Sequence, residues 1–492
     1  MPKLKILVAA SEMVPFIKTG GLGDVLGALP GALAAQGHEV RVFIPHYKSL
    51  NTAGHHLENV GLSLEILVGD KRAIAEFSVI RDKRSGLLTY FVRNSGYFDR
   101  PGLYGHPETK KDFPDNDERF VFFARAVLEA AMRLGFRPDI VHAHDWQAGL
   151  TAVYLKTVYA DDPFYDGAAS VLTIHNLAHQ GLFPGQRFAI LGLPKELFWA
   201  TGPFEFYGKV NFLKAAVNYA DKITTVSPRY AEEIQTGKFG CGLEGVLRQR
   251  SDDLVGILNG VDYTVWSPSR DRRLPFRYYA ANLSGKSMNK IELLGAAALP
   301  VREKTPLIGI ISRLVHQKGF ELIREAADRL FAMNIQMIVL GTGEKKYHKL
   351  FSLLEKKYPD KLKAFLVHDE NLAHRIEAGA DMFLMPSLFE PCGLNQMYSL
   401  KYGTVPIVSE VGGLVNTIVD FDPDSTEGTG FVFCEETPEA MLSAIERACR
   451  AYARRRSWTR IMKAGMRQDF SWDTAVGRYV ELFERLVGAK NT

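Results

Sequence analysis

The sequence predicts an α/β protein with two doubly wound domains, and three observations carry that prediction. Its 492 residues exceed the roughly 250 to 300 that a single hydrophobic core organises. Short apolar runs alternate with amphipathic helical segments, and the alternation begins afresh past the middle of the chain. A composition of 46% hydrophobic and 24% charged residues is typical of a globular protein, which excludes disorder, collagen and a coiled coil.

Charge and cysteine content narrow the functional classes. A formal net charge of +4 is too small for a dedicated nucleic-acid or membrane-surface protein of this length, so we expect neither partner. The four cysteines are scattered without a CxxC pair, which favours neither a disulfide framework nor a thiolate zinc site. No apolar run is long enough for a signal peptide or for the roughly 20 residues of a membrane span, so we expect a cytoplasmic protein.

The N-terminal segment predicts a β-α-β unit. An apolar strand at residues 6–10 is followed by a glycine-rich turn at 18–24, a helix capped at its end by Gly37, and a strand at 39–44. The helix carries apolar residues at helical spacing, namely Leu22, Val25, Leu26, Leu29 and Leu33.

The rest of the first domain predicts an inserted hairpin region at 51–93, an amphipathic helix at 120–134 and further strands. These strands each finish in a polar residue or a turn and are predicted at 139–144, 170–175, 222–227 and 255–258. Because open parallel sheets bind ligands at the carboxyl ends of their strands, we expect the functional residues there.

A Pro-, Ser- and Arg-rich stretch at 266–274 precedes the second alternation of strands and helices. Its strands are predicted at 307–312, 336–341, 363–367, 381–386, 405–409 and 430–433. An amphipathic segment at 472–487 closes the chain. We therefore expect a first domain at 1–256, a second at 257–470, and a C-terminal helix within 471–492 that crosses back to the first.

The glycine-rich turn that starts at Lys18 joins the first strand to the first helix. Backbone N–H groups and the positive end of the helix dipole converge at such a turn and favour an anion. Its glycine spacing fits neither a dinucleotide-binding fingerprint nor a Walker loop, which disfavours a Rossmann dehydrogenase and a P-loop ATPase. An ordinary tight turn remains the alternative.

Two cations, Arg313 and Lys318, occupy the matching strand-to-helix loop of the second domain. A nucleotide diphosphate leaving group gains charge as its glycosidic bond breaks, and paired cations stabilise that charge without a metal. Two solvated cations at a helix start are the alternative, which the helix dipole disfavours.

Four histidines lie in two clusters that follow strands, at His142 and His144 and at His175 and His179. A zinc site usually needs three or four protein ligands in a closed geometry, whereas each histidine pair lies at a strand end beside Asp or Asn, so we expect contacts to sugar hydroxyls and no zinc site. Histidines buried in the core are the alternative.

Glu390 follows the strand at 381–386 and precedes a helix that ends near Gly403. Its carboxylate is suited to accept hydrogen bonds from vicinal sugar hydroxyls, while the N–H groups of Gly393 and Leu394 hold a phosphate or ring oxygens. A plain charge partner for the helix N-terminus is the alternative. Cys392 could act as a nucleophile near this helix, but no histidine lies beside it in the sequence.

Five motifs in order along the chain together resemble the bacterial glycogen synthase and plant starch synthase family. They are Lys-x-Gly-Gly-Leu-x-Asp from Lys18, His-Ala-His-Asp-Trp from His142, Thr-Ile-His-Asn-Leu-Ala-His-Gln-Gly from Thr173, Ser-Arg-Leu-x-x-Gln-Lys-Gly from Ser312 and Phe-Glu-Pro-Cys-Gly-Leu-Asn-Gln from Phe389. The resemblance covers nearly the whole chain. It implies a two-domain GT-B glycosyltransferase, independent of metal and cofactor, that moves glucose from ADP-glucose to the non-reducing end of an α-1,4-glucan such as glycogen with retention.

The resemblance also implies roles for individual residues. In the first domain, Lys18, Gly20, Gly21 and Asp24 would serve the donor diphosphate and glucosyl region. Asp145 and His175 would line the glucose site, with His175 near the reacting carbon, and Asn259 would contact the sugar. In the second domain, Arg313 and Lys318 would hold the diphosphate and Glu390 the glucose hydroxyls, assisted by Cys392, Gly393 and Leu394.

Two departures from the family pattern bear on these expectations. Related retaining enzymes often show a second Glu eight positions after the first, where this chain has Tyr398, as the glycogen synthase branch does. His368 stands where glycogen synthases often place an aromatic residue against adenine. Donor choice therefore rests on branch resemblance, and a UDP-glucose-using enzyme, a pyridoxal-dependent phosphorylase and a catalytically silent glucan-binding protein remain alternatives.

Overall fold

The computed structural model describes residues 3–83, 85–109 and 111–490. The chain forms two compact units, one comprising the residues up to Gly260 together with those from Trp472 onward, and the other comprising Val261–Ser471.

The helices and strands of the chain up to Gly260 are β1 (Lys5–Ala9), α1 (Gly21–Ala35), β2 (Glu39–Pro45), β3 (Glu58–Val68), β4 (Lys71–Arg81), β5 (Leu88–Arg93), α2 (Ser95–Phe98), α3 (Asn116–Arg133), β6 (Ile140–His144), α4 (Asp145–Leu155), β7 (Ala169–Ile174), β8 (Leu182–Pro184), β9 (Glu205–Phe206), β10 (Lys209–Asn211), α5 (Phe212–Tyr219), β11 (Lys222–Thr225), α6 (Pro228–Glu233), α7 (Glu244–Gln249) and β12 (Leu254–Gly256).

The second unit contains α8 (Ser284–Ala296), β13 (Leu307–Ile311), α9 (Phe320–Ala332), β14 (Gln336–Leu340), α10 (Lys345–Lys357), β15 (Leu362–Phe365), α11 (Glu370–Gly379), β16 (Met382–Met385), α12 (Asn395–Tyr402), β17 (Val405–Ser409), α13 (Gly412–Thr417), β18 (Phe431–Phe433), α14 (Pro438–Ala453) and α15 (Arg455–Met466). The chain then ends in α16 (Trp472–Lys490).

The described part of the first unit contains a nine-stranded sheet in the order β12-β11-β7-β6-β1-β2-β5-β4-β3. The strand order runs outward in opposite directions from β1, so its topological switch point lies between β1 and β6. Ala9 at the end of β1 lies opposite Phe43 and Ala143 in parallel pairings. The loops after β1 and β6 therefore leave the sheet side by side.

The predicted hairpin region adds an antiparallel edge to this sheet. Strands β3 and β4 pair antiparallel, β4 pairs antiparallel with β5, and β5 returns to run parallel to β2. A separate small sheet in the order β8-β10-β9, together with α5, was not predicted from the sequence.

The C-terminal helix α16 packs on the first unit. Tyr479 and Phe483 lie in one buried cluster with Leu26 and Leu29 of α1. Trp472 lies so close to Gly260 that a Cβ there would come within 2.7 Å of the Trp472 Cα. Glycine at position 260 therefore lets the start of α16 reach the end of the N-terminal segment.

Among the described residues of the second unit, six strands form a parallel sheet in the order β15-β14-β13-β16-β17-β18. Its switch point lies between β13 and β16, which pair through Ile308 with Met382 and Gly309 with Phe383. The loops that carry Arg313 and Glu390 therefore emerge next to one another. Within the described chain, no helix is long and apolar enough to cross a membrane.

Candidate active site

The glycine-rich loop after β1 is tied to a buried carboxylate, that of Glu12. Glu12 Oε1 accepts a hydrogen bond from Thr19 Oγ1 at 2.6 Å, and Glu12 Oε2 accepts from the N–H groups of Thr19 and, at 3.3 Å, Gly20. Tyr104 Oη donates to Glu12 Oε1 at 2.6 Å. Glu12 is 97% buried, and a buried carboxylate needs hydrogen-bond donors. Its hydrogen bonds to Thr19 and Gly20 therefore hold the loop in place.

The upper side of the same loop is open. A Cβ at Gly20 or Gly21 would meet no atom within 4 Å, and Gly21 is the first residue of α1. Lys18 Nζ donates to Asp24 Oδ1 at 2.6 Å, and both side chains remain partly exposed. The loop thus offers backbone N–H groups, a helix N-terminus and an ammonium group to an anion.

Asp145 lies at the end of β6 and is buried in a strained backbone conformation, with φ of 54°. Its Oδ1 accepts from the N–H of His175 at 2.7 Å. Burial raises the pKa of Asp145 to about 7, although hydrogen bonds from the N–H groups of His175 and Asn176 lower it. Left-handed backbone at a residue other than glycine is concentrated at functional sites.

His175 lies at the end of the neighbouring strand β7, and its Nε2 is 2.9 Å from Nδ1 of His144. Burial lowers the pKa of His175 to about 3, so its imidazole is neutral near pH 7. Asp145 and His175 therefore form one rigid polar group that can orient sugar hydroxyls.

The first histidine cluster is core rather than sugar-binding, which corrects the expectation for it. His142 and His144 are fully buried, and His142 Nε2 lies 2.7 Å from Thr173 Oγ1. The His142 ring packs against Tyr479 and Phe483 of α16. Over the described residues, no three His, Cys, Asp or Glu side chains are placed to hold a metal ion.

Asn259 lies in the segment after β12 and is 94% buried. Its Oδ1 is buried and has no hydrogen-bond partner within the described chain. A buried amide oxygen without a partner is costly, so this atom is suited to accept from a ligand hydroxyl.

In the second unit, Arg313 and Lys318 follow β13, as predicted. A 3₁₀ turn at His316–Lys318 and Gly319, with φ of 69°, precede α9. A Cβ at Gly319 would lie 1.7 Å from the Pro386 carbonyl oxygen, so only glycine lets this turn reach the loop after β16. The Arg313 side chain is exposed, and its guanidinium group makes no hydrogen bond or ion pair within the described chain.

Glu390 pairs directly with Lys318. Lys318 Nζ contacts Glu390 Oε2, and Ser387 Oγ donates to the same oxygen at 3.1 Å. Both charged side chains are largely buried, with 8% of the Glu390 side chain and 16% of the Lys318 side chain exposed. The sequence predicted each residue separately, and the strand order brings them together.

The backbone around Glu390 is shaped by the N-terminus of α13. Gly413 N–H donates to the Glu390 carbonyl oxygen at 3.1 Å. A Cβ at Gly412, where φ is 46°, would lie 1.9 Å from that oxygen. Gly393 has φ of 71°, and the N–H groups of Gly393 and Leu394 donate to no acceptor in the described chain. These two donors remain for a ligand.

Three other predicted or missed residues complete the second unit's site. Cys392 is buried and forms no disulfide within the described chain. His368 is exposed in the short loop between β15 and α11. The sequence did not point to Glu344, whose Oε1 accepts from the His316 N–H at 3.1 Å and so supports the loop that carries Lys318.

Comparison with known proteins defines the class of the molecule. The starch synthase catalytic domain family matches residues 5–249, and the family of glycosyl transferases group 1 matches residues 296–464. The catalytic domain of starch synthase IV from Arabidopsis thaliana, bound to ADP and acarbose, superimposes with a TM-score of 0.91 at 33% identity, covering 99% of this chain and 100% of that one. The protein is a glycosyltransferase with the GT-B fold, as predicted.

Curated relatives define the family. The chain is 49% identical to a glycogen synthase from Koribacter versatilis over 98% of both chains. It is 46% identical to a glycogen synthase from Anaeromyxobacter dehalogenans over 98% of this chain and 100% of that one. The chain therefore belongs to the glycogen synthase family, and its activity is that of a glucosyltransferase.

Proposed function

We propose that this protein transfers glucose from ADP-glucose to the non-reducing end of an α-1,4-glucan, with retention at the anomeric carbon. The observation that carries the proposal is the buried Lys318–Glu390 pair, together with the exposed Arg313 on the same loop as Lys318. The relatives named as glycogen synthases and the ADP bound to the similar starch synthase support this donor and this acceptor.

The cations of the second unit are assigned to the donor diphosphate. The Arg313 guanidinium group makes no hydrogen bond or ion pair in the described chain that would have to break when a diphosphate binds. Lys318 is held in place by its ion pair with Glu390. The N–H groups of Gly393 and Leu394, next to Cys392, bind phosphate or sugar oxygens. As the bond from the glucose carbon to the phosphate oxygen breaks, these donors stabilise the added charge on the diphosphate.

The glucosyl group is assigned to carboxylate and neutral groups. Glu390 accepts from two sugar hydroxyls, and Asp145, His175 and Asn259 orient the rest of the ring. The acceptor hydroxyl forms its bond to the anomeric carbon on the face that the diphosphate leaves, and its proton passes to the departing phosphate oxygen. Atoms and charge balance without a cofactor or a covalent intermediate.

The loop of Lys18, Gly20 and Gly21 completes the assignment in the first unit. It offers N–H groups and one ammonium group, held by Asp24, to the diphosphate and the adjoining sugar. We assign His368, exposed after β15, to the adenine base. A cytoplasmic location belongs to the same proposal and is supported by the scattered cysteines, which form no disulfide within the described chain: Cys241, Cys392, Cys434 and Cys449.

Initial rates with ADP-glucose and with UDP-glucose, each with glycogen as acceptor, test the proposal. We expect turnover with ADP-glucose and a much smaller kcat/KM with UDP-glucose. A preference for UDP-glucose would overturn the donor assignment, and binding of glycogen without turnover of either donor would show a silent glucan-binding protein.

A further inference from the structure

Tyr398, which stands where related retaining enzymes carry a second Glu, belongs to a stack of three rings. The ring centroids of Trp266 and Tyr398 are 4.0 Å apart at an interplanar angle of 2°. On its other face, Trp266 stacks on His374 at 3.7 Å and 10°. The indole is therefore enclosed by α11 on one side and α12 on the other.

The stack lies one helical turn from the donors of the candidate site. Tyr398 N–H donates to the Leu394 carbonyl oxygen at 3.0 Å, so the residue that stacks on Trp266 is bonded directly to the N-cap of α12. No side chain caps the N-terminus of α12 at Leu394, and neither the Leu394 N–H nor the Gly393 N–H has an acceptor in the described chain. A rotation of α12 would move both N–H groups.

Further contacts hold the same helix to residues 261–278. Tyr278 Oη donates to the Tyr402 carbonyl oxygen at 2.7 Å, and Tyr402 Oη donates to Asp271 Oδ2 at 2.7 Å. The ammonium group of Lys401 lies 4.1 Å from the centre of the Tyr263 ring. These contacts hold the C-terminal end of α12. Trp266 instead contacts Tyr398, one helical turn after the N–H groups of Gly393 and Leu394.

We propose that Trp266 is a positioning residue for the donor site, which it controls through Tyr398 and the start of α12. The proposal rests on the proposed assignment of Gly393 and Leu394 to the donor. The proposal also explains why residue 398 is Tyr and not Glu. A carboxylate packed against the face of the indole would lose its hydration, whereas an aromatic ring needs none.

The test compares ADP affinity, measured by titration calorimetry, in Trp266→Ala, Trp266→Phe and wild type. We expect Trp266→Ala to weaken ADP binding about tenfold or more, because small displacements of binding groups have large effects. Trp266→Phe keeps an aromatic ring between His374 and Tyr398, so it should restore most of the affinity.

Trp458→Ala is the matched control. Trp458 is 94% buried in the same unit and packs on Phe431 and Tyr452, neither of which belongs to the ring stack. We expect it to lower the melting temperature and leave ADP affinity nearly unchanged. If Trp266→Ala binds ADP as wild type does, or if Trp458→Ala loses as much affinity, Trp266 has only a structural role.

Hydrogen exchange provides a second readout that does not depend on the donor. Amides of residues 393–398 should exchange faster in Trp266→Ala than in Trp458→Ala, with no ligand present; equal exchange would overturn the proposal. If Trp266→Ala does not fold, Tyr398→Leu is measured in its place with the same expected result. A wild type that binds no ADP would refute the donor assignment, while the exchange rates would still test the effect of Trp266 on α12.

Discussion

The two units place polar side chains at the same point of their sheets but with different chemistry. In the first unit, Asp145 and His175 are buried and hydrogen-bonded, and burial lowers the pKa of His175 to about 3. In the second unit, Lys318 and Glu390 form a charge pair, and the exposed Arg313 lies on the same loop as Lys318. The difference supports the proposal that one unit orients a neutral ligand group and the other stabilises a charged one.

The largest expected effect comes from removing a cation of the second unit. Lys318→Ala should lower kcat about 10²- to 10³-fold at saturating donor with a smaller change in KM, because the leaving group carries more charge in the transition state than in the bound donor. Arg313→Ala should behave similarly. Steady-state kinetics with ADP-glucose and glycogen measures both.

Arg329→Ala is the control for these variants. Arg329 is an exposed cation of the same unit that pairs with Glu439, away from the candidate site. Its removal should leave kcat within the error of the wild-type value, since exposed ion pairs contribute little. A near-native kcat in Lys318→Ala would show that this ammonium group does not contact the diphosphate.

A neutral group of the first unit should give a smaller loss. His175→Gln should lower kcat by about tenfold to a hundredfold, because one oriented hydrogen-bonding group is lost. Its pH–rate profile between pH 5.5 and 7.5 should keep the wild-type shape, since a pKa of about 3 leaves His175 neutral throughout.

The exposed His56 provides the control, and His56→Gln should match wild type in rate and profile. If an inflection near pH 6.5 were present in wild type and absent in His175→Gln, His175 would titrate during turnover. The neutral character assigned to the first unit would then be wrong.

The fold was predictable because strands and helices leave local patterns in the sequence. The strands predicted at 307–312 and 381–386 correspond to β13 and β16, and residues of the candidate site follow both strands. The sequence could not pair Lys318 with Glu390, since that contact depends on which strands are neighbours in the sheet. Glu12 was missed because a carboxylate after a strand has no distinctive pattern until the loop folds over it.

The histidines show the same limit. His142 and His144 are two residues apart on a strand, so they share one face of the sheet, and their rings lie 4.1 Å apart. That face is covered by Tyr479 and Phe483, which come from the far end of the chain. A local pattern could not distinguish a histidine beneath α16 from one at the open end of the sheet.

Buried neutral histidines should also make the first unit sensitive to acid. Burial lowers the pKa of His142 to about 3, below its usual value of 6.5. Between these pH values the unfolded chain binds a proton at His142 that the folded chain does not bind. The free energy of unfolding is therefore highest above pH 6.5 and falls as the pH decreases. At pH 5 the loss for this group is about 2 kcal/mol.

Urea unfolding at pH 7 and pH 5 measures this effect, and His142→Gln is the variant. The free energy of unfolding of His142→Gln should depend less steeply on pH than that of wild type. The number of protons taken up on unfolding should be lower in the variant by up to one. Equal slopes would show that His142 is protonated to the same extent in both states.

The central claim is that side-chain cations of the second unit stabilise the leaving diphosphate, so the reaction has no need of a metal ion. The most direct measurement is kcat with ADP-glucose and glycogen before and after exhaustive chelation, in metal-free buffer. We predict an unchanged kcat, because Arg313, Lys318 and the N–H groups of Gly393 and Leu394 supply the positive charge. A loss of activity that an added divalent cation restores would contradict the account.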